Sequence, residues 1–458
     1  MDAITFGTDG WRATLDEFTV PRVRMVGQAV ASYLRDEGRG GETVAVGYDA
    51  RESSPKFAEE LSRVLCANGF DVVLPDRDRP TPLTAWQIRH RDLAGALMLT
   101  ASHNPPEYNG VKFIGDDAAP APESVTEAIE DRLAEPDPLP EDQHGTVREV
   151  DFVEPHFSHA RDLVPDDLSG LHVVYDAMHG SGRDTTDRLL EESGATVDRL
   201  RCETDPEFGG VSPEPSAENL EGLADAVDKR GADLGIANDG DADRIAVVTP
   251  DRGHLDENLF FAATYDYLLE SDEGPVVRTV STTFLLDRIA EKHGQEVVEV
   301  PVGFKYVAEA MGECDALMAG EESGGFSIRG HIREKDGVLM ALLAAAVEHE
   351  RAYDDRVDDL LDEFGEIHQH KVSVDCPDSQ KARVVADLSD EIPDEVAGVS
   401  VADVVTKDGF KLLLEDGSWV LVRPSGTEPK MRVYAEASSA ERVDALLEDG
   451  YELVSQLV

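Results

Sequence analysis

"TVAVGYDARESSPKFAEELSRVLCANGFDVVL", residues 43–74, reads as one folding unit. Residues 43–47 are an apolar run rich in valine, which predicts a buried strand. Asp49, Ala50 and Arg51 make a polar turn. Residues 56–68 carry apolar positions at helical spacing, and Gly69 follows at once as a C-cap signal. Residues 72–74 return as a strand. A strand, a helix and a strand in so short a stretch imply parallel pairing through a right-handed crossover.

The plan recurs twice. Residues 171–175 read as a strand, 176–182 as a small polar turn, 183–193 as a helix closed by Gly194, and 195 onward as a strand. Residues 276–280, 281–283, 284–293, Gly294 and 296–300 repeat it. The spacing is too long for a solenoid repeat, so three α/β domains of related plan are expected. The proline-rich residues 134–140 read as a surface connection. The texture changes after residue 367. Short strands at 409–414, 419–422 and 431–437 precede a last helix at 440–457, which predicts a small α+β domain. The expected domains are 1–150, 151–252, 253–367 and 368–458.

Bulk properties narrow the function. The 458 residues carry a formal charge of −53 at 41% hydrophobic content. Lysine is roughly a third as common as arginine. The acidic residues are spread between apolar positions of ordinary elements, so the chain is folded rather than disordered. An acidic, lysine-poor surface points to work at high salt, where screening removes self-repulsion. It argues against nucleic acid and anionic membranes as partners. Four scattered cysteines indicate neither a zinc site nor a disulfide framework. The apolar run 338–347 is too short to span a bilayer. With no basic-then-apolar leader at the start, a soluble cytoplasmic protein is expected.

Four stretches carry chemistry. "LTASHNPPEYNGVKF", residues 99–113, ends a buried strand in Ser102, His103, Asn104 and two prolines. The Gly-x-Ser-x-Gly elbow of a serine hydrolase is absent. Adjacent extended residues point apart, which would place His103 badly to deprotonate Ser102. "LGIANDGDADRIAVV", residues 234–248, sets Asp239, Asp241 and Asp243 between two apolar strands, with Arg244 beside them. Crowded carboxylates call for a cation, and an oxygen-only set suits Mg²⁺. An EF-hand fails, because Arg244 and Pro250 stand where Gly and Glu are required. "GEESGG", residues 320–325, offers Glu321 and Ser323 to vicinal hydroxyls. "RPSGTEP", residues 423–429, offers Arg423, Ser425, Gly426 and Thr427 as an anion nest. "GTDGWR", residues 7–12, adds Arg12 in a glycine frame. Lys112, Lys305 and Lys335 lie beside strand ends or glycine turns, unlike a random surface scatter.

Together these residues resemble the α-D-phosphohexomutase family of phosphoglucomutases and phosphomannomutases, over essentially the whole chain. "TASHNP" (100–105) is similar to its phosphoserine loop and "DGDADR" (239–244) to its Mg²⁺ loop. "GEESG" (320–324) is similar to its sugar loop and "RPSGTE" (423–428) to its phosphate loop. The resemblance implies three similar α/β domains with mixed sheets and a smaller α+β domain around a central cleft. It implies that Ser102 carries a phosphoryl group and, with Asp239, Asp241 and Asp243, ligates Mg²⁺. Hexose 1-phosphate and 6-phosphate would interconvert through a 1,6-bisphosphate, with glucose 1,6-bisphosphate or a similar compound as activator. Arg12, Lys112 and Arg244 would offset phosphate charge, and His103 and Lys335 are candidates for proton transfer. Lys305, Glu321, Ser323, His331, Arg423, Ser425, Gly426 and Thr427 would bind substrate. The sugar loop and "HIREKDG" (331–337) look closest to phosphoglucomutases, with a dual glucose/mannose enzyme nearly as close. A phosphoglucosamine mutase and a non-catalytic sugar-phosphate binder are the alternatives. A monomer or homodimer is expected.

Overall fold

The computed structural model describes residues 4–7, 10–165, 167–390, 392–426 and 428–458. Three mixed sheets share one order of four core strands. In the first, a central strand Thr43–Tyr48 pairs in parallel with Asp71–Leu74 on one side and Ala96–Leu99 on the other. Ala96–Leu99 then pairs antiparallel with Tyr108–Ile114. In the second sheet these places are taken by His172–Asp176, Thr196–Leu200, Leu234–Asn238 and Ile245–Thr249. In the third they are taken by Val276–Thr279, Val297–Val300, Met318–Gly320 and Phe326–Ile328. The fourth sheet is antiparallel throughout, ordered from His368–Asp375 to Glu395–Val396.

This shared order decides where chemistry can sit. In each of the first three sheets a loop joins the third parallel strand to its antiparallel partner. Those loops are residues 100–107, 239–244 and 321–325. They hold Ser102, the three aspartates and Glu321. All three leave the carboxyl end of a buried parallel strand, which is where open α/β sheets bind ligands.

The crossover helices follow the sequence closely: Ser54–Ala67, Thr186–Glu192 and Leu285–His293. Gly294 ends the last of these at φ +68°, a left-handed conformation that costs glycine little. The middle helix starts later than its apolar pattern suggests. Arg183 is drawn instead into a buried pair with Asp78 of the first domain, at 2.7 Å. The apolar run 338–347 lies within helix Gly337–Glu350, where every residue from Gly337 to Val347 is buried. A helix apolar on all sides belongs inside a core. Here it is the axis on which the second and third domains pack. Asp336 caps its start, accepting from the N–H groups of Val338 and Leu339. No helix among the described residues is long and apolar enough to cross a membrane.

Candidate active site

Ser102 takes φ +51°, an uncommon value for a residue with a Cβ. The loop around it is held by a buried arginine. Arg51 donates to the carbonyls of Ser102 (2.8 Å), Asn104 (2.6 Å), Pro105 (2.6 Å) and Tyr108 (3.1 Å). Asp49, buried beside it, takes the Arg51 Nε at 3.0 Å and the Ser54 hydroxyl at 2.6 Å. Both charges are essentially sealed from solvent. Sequence reasoning read Asp49 and Arg51 only as a turn. Their place at the carboxyl end of the central parallel strand is the signal that could have marked them.

Removing one partner of such a pair leaves a buried charge uncompensated. Arg51→Ala is therefore expected to cost about 3–5 kcal/mol. Urea unfolding at fixed KCl reads this directly, and a change below about 1 kcal/mol would show that the clamp is dispensable.

The left-handed turn at Ser102 changes its surroundings. Its Oγ donates to Asp239 Oδ2 at 2.8 Å and lies 3.3 Å from His103 Nδ1. The expectation that His103 points away from Ser102 is thus overturned, because it assumed an extended backbone. Burial, then the guanidiniums of Arg244 and Arg12, push the His103 imidazole down to about 2. It is neutral at pH 7 while no phosphate is near. Arg12 reaches the loop from the antiparallel strand Trp11–Thr14, donating to Asn104 Oδ1 at 3.3 Å.

Asp239, Asp241 and Asp243 are fully buried, and their carboxylate oxygens converge within 4.8 Å of one another. The loop touches the serine loop so closely that a Cβ on Gly240 would stand 2.6 Å from the Ser102 carbonyl oxygen. Thr81 clamps Asp241 from the first domain through its hydroxyl (2.6 Å) and its N–H (2.9 Å, to the Asp241 carbonyl). Lys112 Nζ lies 3.3 Å from Asp241 Oδ2 and 2.9 Å from Asp243 Oδ2. Lys335 Nζ arrives from the third domain, also 2.9 Å from Asp243 Oδ2. Burial, then Asp241 and Asp243, drive the Asp239 carboxyl far above the usual range. Burial lowers the Arg244 guanidinium, but Asp239 and Asp243 more than offset this and hold it above its ordinary value.

A hard divalent cation fits this donor set. All donors are oxygens, the triad is crowded, and the buried Asp241 Oδ1 has no hydrogen-bond partner.

Glu321 is buried, and its Oε1 accepts from the Gly303 N–H at 2.9 Å. Burial pushes its carboxyl up to about 7, with Lys335 opposing and Glu322 adding to the rise. Ser323 is half-buried on the same loop. Lys305 lies in helix Phe304–Cys314, with Glu123 of the first domain 3.9 Å away. In the fourth domain Ser425 Oγ accepts from the Glu428 N–H at 3.2 Å, and Gly426 is exposed. Arg423 Nε donates to Asp408 at 2.8 Å. Thr427 lies outside the described residues.

His331, to which the resemblance gives a substrate role, is engaged within the protein in the ligand-free chain. Its side chain is 0% exposed. Nε2 meets Asp336 Oδ2 at 2.8 Å, and Nδ1 meets His159 at 3.1 Å. His156 meets the same Asp336 oxygen at 2.6 Å. With both nitrogens engaged, His331 steadies the aspartate that caps helix Gly337–Glu350.

Sequence profiles of the phosphoglucomutase/phosphomannomutase family match nearly the whole chain. The alpha/beta/alpha domains I, II and III match residues 3–139, 152–253 and 256–366, and the C-terminal domain matches 372–453. The chain belongs to this family. A phosphoglucomutase/phosphomannomutase of Thermococcus kodakarensis is 33% identical, covering 98% of both chains. A phosphopentomutase of the same organism is 34% identical, over 99% of this chain and 98% of its own. A crystal structure described as a candidate phosphomannomutase from Thermus thermophilus superposes with a TM-score of 0.86, at 32% identity and 99% of both chains. The protein is therefore a sugar-phosphate phosphomutase, an isomerase that works by phosphoryl transfer. The family is Mg²⁺-dependent, in keeping with the oxygen triad.

Proposed function

We propose that this phosphomutase interconverts hexose 1-phosphate and hexose 6-phosphate, with glucose or mannose as the hexose. Ser102 is the phosphoryl carrier, and the 1,6-bisphosphate is the intermediate. The observation that carries this reading is the position of Ser102 Oγ, 2.8 Å from Asp239 inside the oxygen triad. Arg244 and Arg12, whose charges act on the neighbouring His103, supply positive charge where a phosphate must be held.

Phosphoryl transfer is catalysed mainly by positioning and charge stabilisation. Phospho-Ser102 gives its phosphoryl group to the free hydroxyl of the sugar monophosphate. The P–O bond to Ser102 breaks as the bond to the sugar oxygen forms. The proton of that hydroxyl passes to His103 or Lys335. The bisphosphate then turns over, its other phosphate returns to Ser102, and the proton is delivered to the sugar oxygen that loses it. Asp239, Asp241, Asp243 and Ser102 would hold Mg²⁺, which supplies charge neutralisation for the transferring group. Glu321 and Ser323 bind sugar hydroxyls, and Lys305 adds positive charge at the rim. Arg423, Ser425, Gly426 and Thr427 hold the phosphate that is not reacting.

A substrate panel tests this reading: glucose, mannose, glucosamine and pentose 1-phosphates, each with Mg²⁺ and a trace of glucose 1,6-bisphosphate. The largest kcat/KM is expected for glucose or mannose. A clear preference for glucosamine or pentose 1-phosphate would reassign the sugar, and release of inorganic phosphate without isomer would replace the mutase with a phosphatase.

The acidic surface belongs to the same proposal. At a charge of −53 the chain repels both itself and an anionic substrate at low salt. Near 1 M the Debye length falls to about 3 Å, so the long-range field vanishes while contacts inside the cleft persist. Unfolding midpoint and kcat/KM are both expected to rise from about 0.1 to 3 M KCl, a range that brackets that screening regime. A flat or falling stability curve would show that the charge is no adaptation to salt.

A further inference from the structure

The turn between strands Val399–Val405 and Phe410–Leu414 forms a finger of the fourth domain laid on the third. Three charged side chains of this finger end on backbone groups of the third domain. Lys407 Nζ donates to the Glu299 carbonyl at 2.6 Å, and Lys411 Nζ donates to the Val280 carbonyl at 2.8 Å. Asp408 Oδ2 accepts the Val302 N–H at 3.1 Å. Lys411 is further fixed between aromatic faces, 4.1 Å from the Phe284 centroid and 4.3 Å from that of Trp419. These contacts meet the third sheet at the carboxyl ends of Val276–Thr279 and Val297–Val300, where its ligand-facing loops begin.

Asp408 has a second partner. The oxygen that takes the Val302 N–H also takes Arg423 Nε, at 2.8 Å. Next to Val302, the Gly303 N–H holds Glu321 Oε1 at 2.9 Å. One carboxylate thus stands between the arginine of the phosphate loop and the strand end that fixes the sugar-loop glutamate. The turn is built for this approach. Gly409 has φ +78°, and a Cβ there would stand 2.2 Å from the Val422 carbonyl oxygen and 2.8 Å from Arg423 Cβ. Only glycine lets the finger lie this close to Arg423.

We propose that Asp408 is a positioning residue for the phosphomutase reaction: it aims Arg423 at the distal phosphate and docks the fourth domain beside the loop that holds Glu321. This rests on the phosphate-loop role given to Arg423 above. A guanidinium fixed at Nε keeps its two terminal nitrogens for bidentate phosphate recognition, and its rotamer entropy is lost before substrate arrives. An exposed ion pair would contribute little. This one is 10% and 18% exposed at its two side chains and shares its oxygen with another domain's N–H.

The test uses Asp408→Ala, Asp408→Asn, Arg423→Ala and the double Ala variant of the full-length protein, assayed with glucose 1-phosphate. Asp408→Ala should raise KM about ten- to hundredfold, the scale of a hydrogen bond to a charged group, while kcat changes far less. Asp408→Asn keeps an acceptor oxygen and should recover most of the loss. In the Arg423→Ala background, Asp408→Ala should add less than about twofold, because coupled residues are not additive. Additive losses, or an unchanged KM, overturn the proposal. Two readouts stand apart from mutase turnover: calorimetric binding of glucose 1-phosphate, and amide exchange across residues 299–304 in the ligand-free protein. Asp408→Ala should weaken the first and quicken the second. If the wild type does not turn over glucose 1-phosphate but these readouts respond, the glucose reading fails and the positioning role stands. If neither responds, the positioning role fails.

Discussion

Ser102→Ala is expected to leave a folded protein whose mutase turnover falls by roughly four to six orders of magnitude, the scale of losing an attacking group. The size follows from the site. Among the described residues, Ser102 is the hydroxyl that lies against Asp239 within the oxygen triad. Thr81, also on the triad, is committed to Asp241 through both its hydroxyl and its backbone. The structural cost is small by comparison. Alanine keeps the backbone, and Arg51 continues to bind the loop through carbonyl oxygens that the substitution does not touch. Losing the Ser102 hydroxyl removes about one net hydrogen bond, worth about 1 kcal/mol. The unfolding midpoint should therefore shift by only a few degrees at most. Intact-mass measurement should find a phosphorylated fraction in the wild type and none in the variant. Turnover by the alanine protein within a hundredfold of wild type would refute a phosphoserine mechanism.

The loops that carry chemistry were legible because each interrupts a buried strand with polar residues the core does not need. Asp239 to Asp243 break the apolar texture of Leu234–Asn238 and Ile245–Thr249, and Ser102 does the same after Ala96–Leu99. The crossover units were legible for the same reason, since valine runs, helical spacing and a closing glycine are local signals. Two edge strands carried no such signal. All three residues of Val147–Glu149 are exposed, so no alternation marks it, and Trp11–Thr14 is four residues beside a glycine turn. Arg51, Asp336 and Asp408 were missed for another reason. Each is a charged residue in a polar stretch of an acidic chain, and its role is set by partners that only the fold brings near. Arg51 finds the Ser102 carbonyl 51 residues away, and Asp408 finds Val302 106 residues away. The partners of His331 were hidden by the same logic. A motif places a residue near a site, but only the fold shows that Asp336 and His159 meet its two ring nitrogens.

Removing the divalent ion is the second large effect. Exhaustive chelation is expected to lower turnover by at least about a thousandfold, the scale seen when a main electrostatic stabiliser is lost, and added Mg²⁺ should restore it. The carboxylates themselves argue for this. Burial and the mutual repulsion of Asp239, Asp241 and Asp243 hold the Asp239 carboxyl far above its ordinary range. Lys112 and Lys335 offset only part of that crowding, since both lie on Asp243 while Lys112 also reaches Asp241. A divalent cation relieves the remainder and favours the ionised form of all three. Asp241→Asn removes one charge while nearly preserving shape, so its Mg²⁺ requirement should move to higher concentration and its turnover should partly recover there. Stability gives a reading independent of activity. At 100 times its dissociation constant, an ion that binds only the folded chain adds about 2.7 kcal/mol. The wild-type unfolding midpoint should rise with Mg²⁺ accordingly, at constant ionic strength, and the Asp241→Asn curve should be displaced to higher Mg²⁺. Full activity after chelation, together with a midpoint indifferent to Mg²⁺, would mean that the lysines alone neutralise the triad and that the loop is structural.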